Sequence, residues 1–255
     1  MPNWEYFHKH FIFQKDTSHA LSVGFLFQLI HMKKPSKKSL ALRKEKLESR
    51  LRAYGLDNDI PPINVTNEYN AFVHPQEAAE RMLILLAVAL SAYNFEEAER
   101  IMDWLKKEDL WKSVSDKEKE FFRNPDPGDE EKQNLSWRFE GAFMLAWALG
   151  KVSSPAEPGN ECNEEQINEF FKHVPTVGTI TYEFFSGLKF RAFEDILDEN
   201  LFYKNATVYF KTILIQDKEN TSQVHKKASF QRSLALSWLQ NPDEKLHWDA
   251  IEAGL

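Results

Sequence analysis

One cysteine, nine glycines and no long apolar run are what this 255-residue sequence has least of, and each shortage narrows its class. The lone Cys162 excludes an internal disulfide and points to a reducing compartment, so the cytoplasm is the expected location. No His adjoins it in the sequence, and an inert thiol in a polar loop is the reading. Nine glycines are too few for a glycine-rich phosphate loop or for a turn-rich all-β fold. The longest apolar run, Met82 to Leu90, falls far short of the roughly 20 residues a membrane helix needs. Met1 to Phe13 has no basic stretch followed by an apolar core, so no signal peptide and no membrane partner are expected.

What the chain has is a heavy aromatic load, twenty Phe and seven Trp, within 42% apolar and 28% charged residues. That is a globular composition with enough apolar surface for a real core. The net charge of −7 hides one asymmetry. Nine basic residues face two acidic ones between Lys33 and Arg52, which leaves the rest of the chain near −14. A basic strip can bind nucleic acid. On an acidic protein it more readily faces the chain's own carboxylates or solvent, and no aromatics interleave before Tyr54. Nucleic acid therefore ranks last among partners.

Periodicity divides the chain into an N-terminal appendage, residues 1–39, and a helical remainder, 40–255. In the appendage Trp4, Tyr6, His8 and His10 alternate as in a short strand. His8 and His10 would share a face, but spacing supplies no third ligand, so no metal is expected. Beyond it, helices are expected over Ser39 to Tyr54 with Gly55 as stop, and over Pro75 to Ala92 with the proline at the first position. Others follow at Phe95 to Lys107, and after Ser115, where Glu118 completes a capping box. Leu135 to Gly150, Glu164 to His173, Phe184 to Leu197, Lys226 to Leu239 and Trp248 to Ala253 complete the set. Asn124 to Asn134 and Ser153 to Cys162 read as exposed polar loops, and Ala206 to Ile215 as strand or helix. The fold class is mainly α: a single helical domain with a small strand element near the N-terminus.

The Leu135 helix carries the most information. Trp137, Phe143, Met144 and Trp147 surround Glu140 on the helical wheel, and Leu145 and Leu149 flank Arg138. Two positions apart, Arg138 and Glu140 point in different directions, and each needs a partner from elsewhere. Arg81 interrupts the apolar stripe of Ile84, Leu85 and Val88. Arg232 interrupts that of Ala228, Ala235, Leu236 and Leu239. Glu140 is accordingly expected to meet Arg81, Arg232 or both, with Glu77 competing for Arg81. A carboxylate beside arginines is a poor general acid, so a structural ion pair is expected first, with an anion-binding pocket and catalysis as the alternatives.

Several blocks together resemble the bacterial domain-of-unknown-function family 4272 over about residues 40–250. They are Arg43-Lys44 to Gly55, Ile60-Pro61-Pro62, Pro75 to Arg81, and Ser136-Trp137-Arg138-Phe139-Glu140 through Trp147 to Gly150. Arg191 to Leu201 with Tyr203, Arg232 to Trp238-Leu239 and Trp248-Asp249 follow. The resemblance implies that Arg81, Trp137, Arg138, Glu140, Arg232, Trp238 and Asp249 belong to a shared polar and aromatic set. It implies no reaction and no cofactor. Relatives tend to carry Glu-Arg-His where this chain has Gln231-Arg232-Ser233, which removes the best acid–base candidates, and no catalytic residue is assigned. The leading functional expectation is a non-catalytic interaction protein of the immunity or antitoxin type. An enzyme or binder using the arginines around a small anion is the alternative.

Overall fold

The computed structural model describes residues 37–56, 72–241 and 247–254. The strand expected near the N-terminus lies outside them. Among the described residues there is no strand, and the fold is mainly α.

The centre is made by three helices: α2 (Pro75–Tyr93), α6 (Arg138–Ala148) and α9 (Lys226–Leu239). Helix α6 packs against both of the others. Every residue of α6 is buried, as an apolar wheel demands. Gly141 permits the close approach: a Cβ there would stand 3.3 Å from the Gln231 carbonyl and 3.3 Å from Leu85. Pro75 begins α2, and His74 Nδ1 accepts from the Gln76 N–H at 3.2 Å to cap it.

Outside this core, α3 (Ala98–Lys107) packs on α2, and α4 (Asp116–Arg123) on α3. Helix α4 opens with the Ser115–Glu118 capping box. Helix α1 (Lys37–Ala53) packs on α8 (Phe193–Ile215), and α8 on α9. Gly55, at φ 71°, stops α1, and the Leu56 N–H returns to the Leu51 carbonyl at 2.9 Å. Helix α7 (Glu164–His173) follows α6, and α10 (Trp248–Gly254) packs on α9. No helix of the described residues is long and apolar enough to cross a membrane.

Three segments differ from the sequence-based expectation. Asn124 to Asn134 is not all loop, because α5 (Asp129–Ser136) starts inside it. Asp129, Glu130 and Glu131 fill the first turn, where the helix dipole favours carboxylates. The tightened turn at Trp137 (φ −68°, ψ −10°) then joins α5 to α6. Second, α8 is one unbroken helix of 23 residues where two shorter segments were expected. Its Val208, Phe210, Thr212 and Leu214 imitate the alternation of a strand. Its buried Ile196, Tyr203, Ala206, Phe210 and Ile213 recur at helical spacing, and their burial decides the conformation. Phe184 lies ahead of it in a separate 3-10 turn, Tyr182–Phe185. Third, the segment from Ser153 to Cys162 is not a free loop. Ala156 and Cys162 are buried, and its carbonyls bind Arg232.

Two arginines of the basic strip meet the chain's own acids, while Lys44, Lys46 and Arg52 are exposed. Arg43 donates to Asp198 at 2.9 and 2.6 Å, and Arg50 to both oxygens of Glu199 at 2.5 and 3.1 Å. These bonds tie α1 to α8 and leave less positive charge for a nucleic acid backbone.

Candidate functional site

Glu140 of α6 and Arg232 of α9 form a closed pair with no exposed side-chain surface. Arg232 Nε and Nη2 both donate to Glu140 Oε2, at 2.9 and 2.7 Å. The remaining donors go to the Glu157 carbonyl at 2.8 Å, the Asn160 carbonyl at 2.7 Å and the Tyr203 hydroxyl at 3.2 Å. A guanidinium has five N–H donors, and all five are spent. Cys162 completes the carboxylate's shell: its N–H meets Oε1 at 2.8 Å and its Sγ meets Oε2 at 3.3 Å. Burial pushes the Tyr203 phenol up to about 12, against the lowering influence of Arg232. Such a saturated, dry pair holds α6, α8, α9 and the 157–162 segment together. It has no donor left for a ligand.

Burial, reinforced by the charge of Glu140, also raises the Cys162 thiol well above its ordinary value. Iodoacetamide at pH 8 is therefore expected to modify folded chain at least a hundredfold more slowly, roughly, than urea-unfolded chain, where the thiol regains its ordinary acidity. Labelling followed by mass spectrometry checks this; equal rates in the two states would contradict the buried thiol.

Arg81 does not reach Glu140 in a bonded pair. It takes Glu118 of α4 instead, Nη1 to Oε1 at 3.2 Å and Nη2 to Oε2 at 3.0 Å, and Nη2 also meets the Ser113 carbonyl at 2.8 Å. Glu77, the expected competitor, is exposed. Glu118 signalled only a helix cap in the sequence, and nothing in a separation of 37 residues marked it as an ion partner. The expected single cluster is therefore two: Glu140 with Arg232, and Arg81 with Arg138 around Trp248. The Arg81 guanidinium lies 5.0 Å from the centre of the Trp248 ring and the Arg138 guanidinium 5.3 Å. Trp238 meets Trp248 edge-on at 6.2 Å. Asp249 Oδ2 accepts from the Lys117 N–H at 3.1 Å in the first turn of α4.

Arg138 differs from the other two arginines. Its Nη1 donates to the neutral Gln231 at 3.1 Å and its Nη2 to Glu252 of α10 at 2.7 Å. Its Nε is buried without a hydrogen-bond partner among the described residues, and so is Nε1 of neighbouring Trp137. Both residues line a cavity of about 460 Å³ bounded by α5, the Trp137 turn, α8, α9 and α10. Leu135, Trp137, Phe210, Leu214 and Phe230 form its apolar wall. Arg138, Lys211, Lys226 and Lys227 supply positive charge against one lining carboxylate, Glu252. A second, acidic cavity of about 720 Å³ contains Glu118, Glu120, Glu130 and Glu131, and it shares Asn134, Leu135, Arg138 and Glu252 with the first. The Arg138–Glu252 bridge thus borders both cavities. Sequence inspection had no means of finding Glu252, because its helix lies 114 positions from Arg138.

A family model, the domain of unknown function DUF4272, matches residues 43–251. The chain belongs to the DUF4272 family. All of Arg81, Trp137, Arg138, Glu140, Arg232, Trp238 and Asp249 fall within the matched DUF4272 region. No curated protein and no solved structure matches the chain.

Proposed function

We propose that this protein is a non-catalytic binder of a small, largely apolar molecule, received in the cavity beside Arg138. The observation that carries the proposal is the cavity itself, about 460 Å³, whose lining sets Arg138, Lys211, Lys226 and Lys227 beside the apolar Leu135, Trp137, Phe210, Leu214 and Phe230. A space of that size with an apolar wall and a few polar groups is the usual form of a small-molecule site. The two lining hydroxyls support binding over chemistry, because each is committed to a helix carbonyl: Thr207 to Tyr203 at 3.0 Å and Ser229 to Lys226 at 3.0 Å. A reduced, buried Cys162 fits a cytoplasmic setting.

The dye 1-anilinonaphthalene-8-sulfonate, an aromatic anion, tests the proposal. Folded protein is expected to bind one equivalent saturably, and Phe230→Glu, which puts a carboxylate into the wall, to weaken binding by about tenfold or more. Non-saturable binding, or a variant of unchanged circular dichroism that binds as well as the parent, would count against it.

A second reading, a protein-binding module of the immunity or antitoxin type, is supported by Leu214 and Ile215. They close α8 beside the cavity with 72% and 84% of their surface exposed. A stoichiometric partner recovered with the parent chain and lost with Leu214→Lys and Ile215→Lys would favour this reading.

A further inference from the structure

We infer that the ligand of this cavity carries a carboxylate on its apolar body, and that this carboxylate replaces Glu252 on Arg138 and so loosens helix α10. The inference rests on the binding role proposed above and specifies both the ligand class and its consequence.

The comparison between two arginines carries the argument. In Arg232 the Nε–Nη2 edge is filled: both donors converge on the Glu140 carboxylate. In Arg138 the same edge is half used. Glu252 takes Nη2 through a single oxygen, while Nε stays buried and unpartnered among the described residues. Arg138 has only 3% of its side chain exposed, so Nε has little recourse to water. The Nη1 donor meets Gln231, which supplies an oxygen but no charge. A free carboxylate that has displaced Glu252 can engage Nε and Nη2 together, the bidentate geometry that a carboxylate held on α10 does not adopt. Lys211, Lys226 and Lys227 add an attractive field at the same cavity, and its apolar wall suits a hydrocarbon or aromatic body.

Helix α10 is well placed to respond. Its polar attachments among the described residues are few: Glu252 to Arg138 and, at 3.8 Å, to Lys117; Asp249 to the Lys117 N–H; and the Gly254 carbonyl to Lys211 at 3.2 Å. Arg138 and Lys211 are cavity residues, so an anion bound there competes for two of these attachments directly. Trp248, the apolar anchor of α10, lies against Arg138 as well. Glu252 thus acts as a built-in occupant of the anion position. A tethered competitor lowers the apparent affinity of the free one until it is removed.

Octanoate and 1-octanol share a body and differ in the head group. Isothermal titration is expected to show octanoate binding about tenfold tighter than the alcohol, as charge-assisted bonds to a buried guanidinium allow. Glu252→Gln should tighten octanoate by about tenfold and change 1-octanol far less. Amide exchange over residues 248–254 should quicken with octanoate and not with 1-octanol. Arg138→Lys, which keeps the charge and loses the planar edge, should weaken octanoate by a larger factor than 1-octanol; it serves as a second variant if Glu252→Gln undocks α10 without ligand. Equal binding of the two probes would overturn the carboxylate assignment while leaving the cavity's binding role intact. Octanoate that binds more weakly to Glu252→Gln, or that slows exchange in α10, would overturn the replacement of Glu252. Failure of both probes and of the dye would instead remove the binding role on which the inference stands.

Discussion

Replacing Glu140 with Gln is expected to lower the free energy of unfolding by about 3–5 kcal/mol, because it leaves a fully buried guanidinium without its counter-charge. For a chain of this size that is a fall in melting temperature on the order of 10 °C. The informative experiment adds Arg232→Met, alone and in combination. Where a buried ion pair is only a pair, exchanging both partners for apolar residues is often neutral or stabilising. Arg232 is more than half of a pair. It also satisfies the carbonyls of Glu157 and Asn160 and bonds the Tyr203 hydroxyl, while Glu140 accepts from the Cys162 N–H. Removing both side chains orphans the two carbonyls and the Cys162 N–H, each costing about 1–3 kcal/mol if it stays dry, while the Tyr203 hydroxyl keeps its bond to the Ala156 carbonyl at 3.2 Å. The double variant Glu140→Leu, Arg232→Met is therefore expected to remain well below the parent in urea unfolding. A double variant as stable as the parent would mean that the carbonyl bonds contribute nothing and that the pair could be exchanged for packing.

The Glu140–Arg232 contact was legible in the sequence for a definite reason. Glu140 stands on a helix apolar all round and Arg232 interrupts an apolar stripe, and a buried charge must be met. The helical class was legible for the same reason, since long periodic segments leave little choice of conformation. Arg81 shows where this logic stops. Its stripe announced a buried charge, but its partner Glu118 already had a local explanation in the capping box, and nothing local implied a second role. Helix α5 was hidden by Pro125 and Pro127 just ahead of it, which read as loop although the acidic turn that follows suits a helix start. In α8, the alternation of Val208, Phe210, Thr212 and Leu214 masked a helical stripe that only packing reveals. The cavity was beyond reach altogether. Its walls come from α5, α8, α9, α10 and the Trp137 turn, and no spacing along the chain encodes a space left between elements.

Glu118→Ala should be the other strongly destabilising change, at about 4 kcal/mol, and it separates two roles of one carboxylate. The Glu118 side chain has no exposed surface, and its two oxygens do different work. Both accept from Arg81, while Oε2 also accepts from the Ser115 N–H at 3.0 Å to complete the cap of α4. Losing the cap alone costs about 1 kcal/mol. Losing the counter-charge of an arginine with only 4% of its side chain exposed costs about 3 kcal/mol or more. Glu118→Gln keeps an acceptor for Ser115 and removes the charge, so it should recover about 1 kcal/mol relative to Ala. Ser115→Ala loses the reciprocal bond from its hydroxyl to the Glu118 N–H and should cost only about 1 kcal/mol. The order Glu118→Ala below Glu118→Gln below Ser115→Ala in urea unfolding is the expected result. Ser115→Ala matching Glu118→Ala would show that the cap, not the ion pair, dominates. The consequence extends to the cavity, since Arg81 and Arg138 both rest against Trp248. With Glu118 gone, Arg81 keeps its charge and loses its fixed position, and repulsion between it and Arg138 is opposed by less. Amide exchange in α10 should then quicken in Glu118→Gln without any ligand, while exchange in α6, held by Glu140 and Arg232, should change far less.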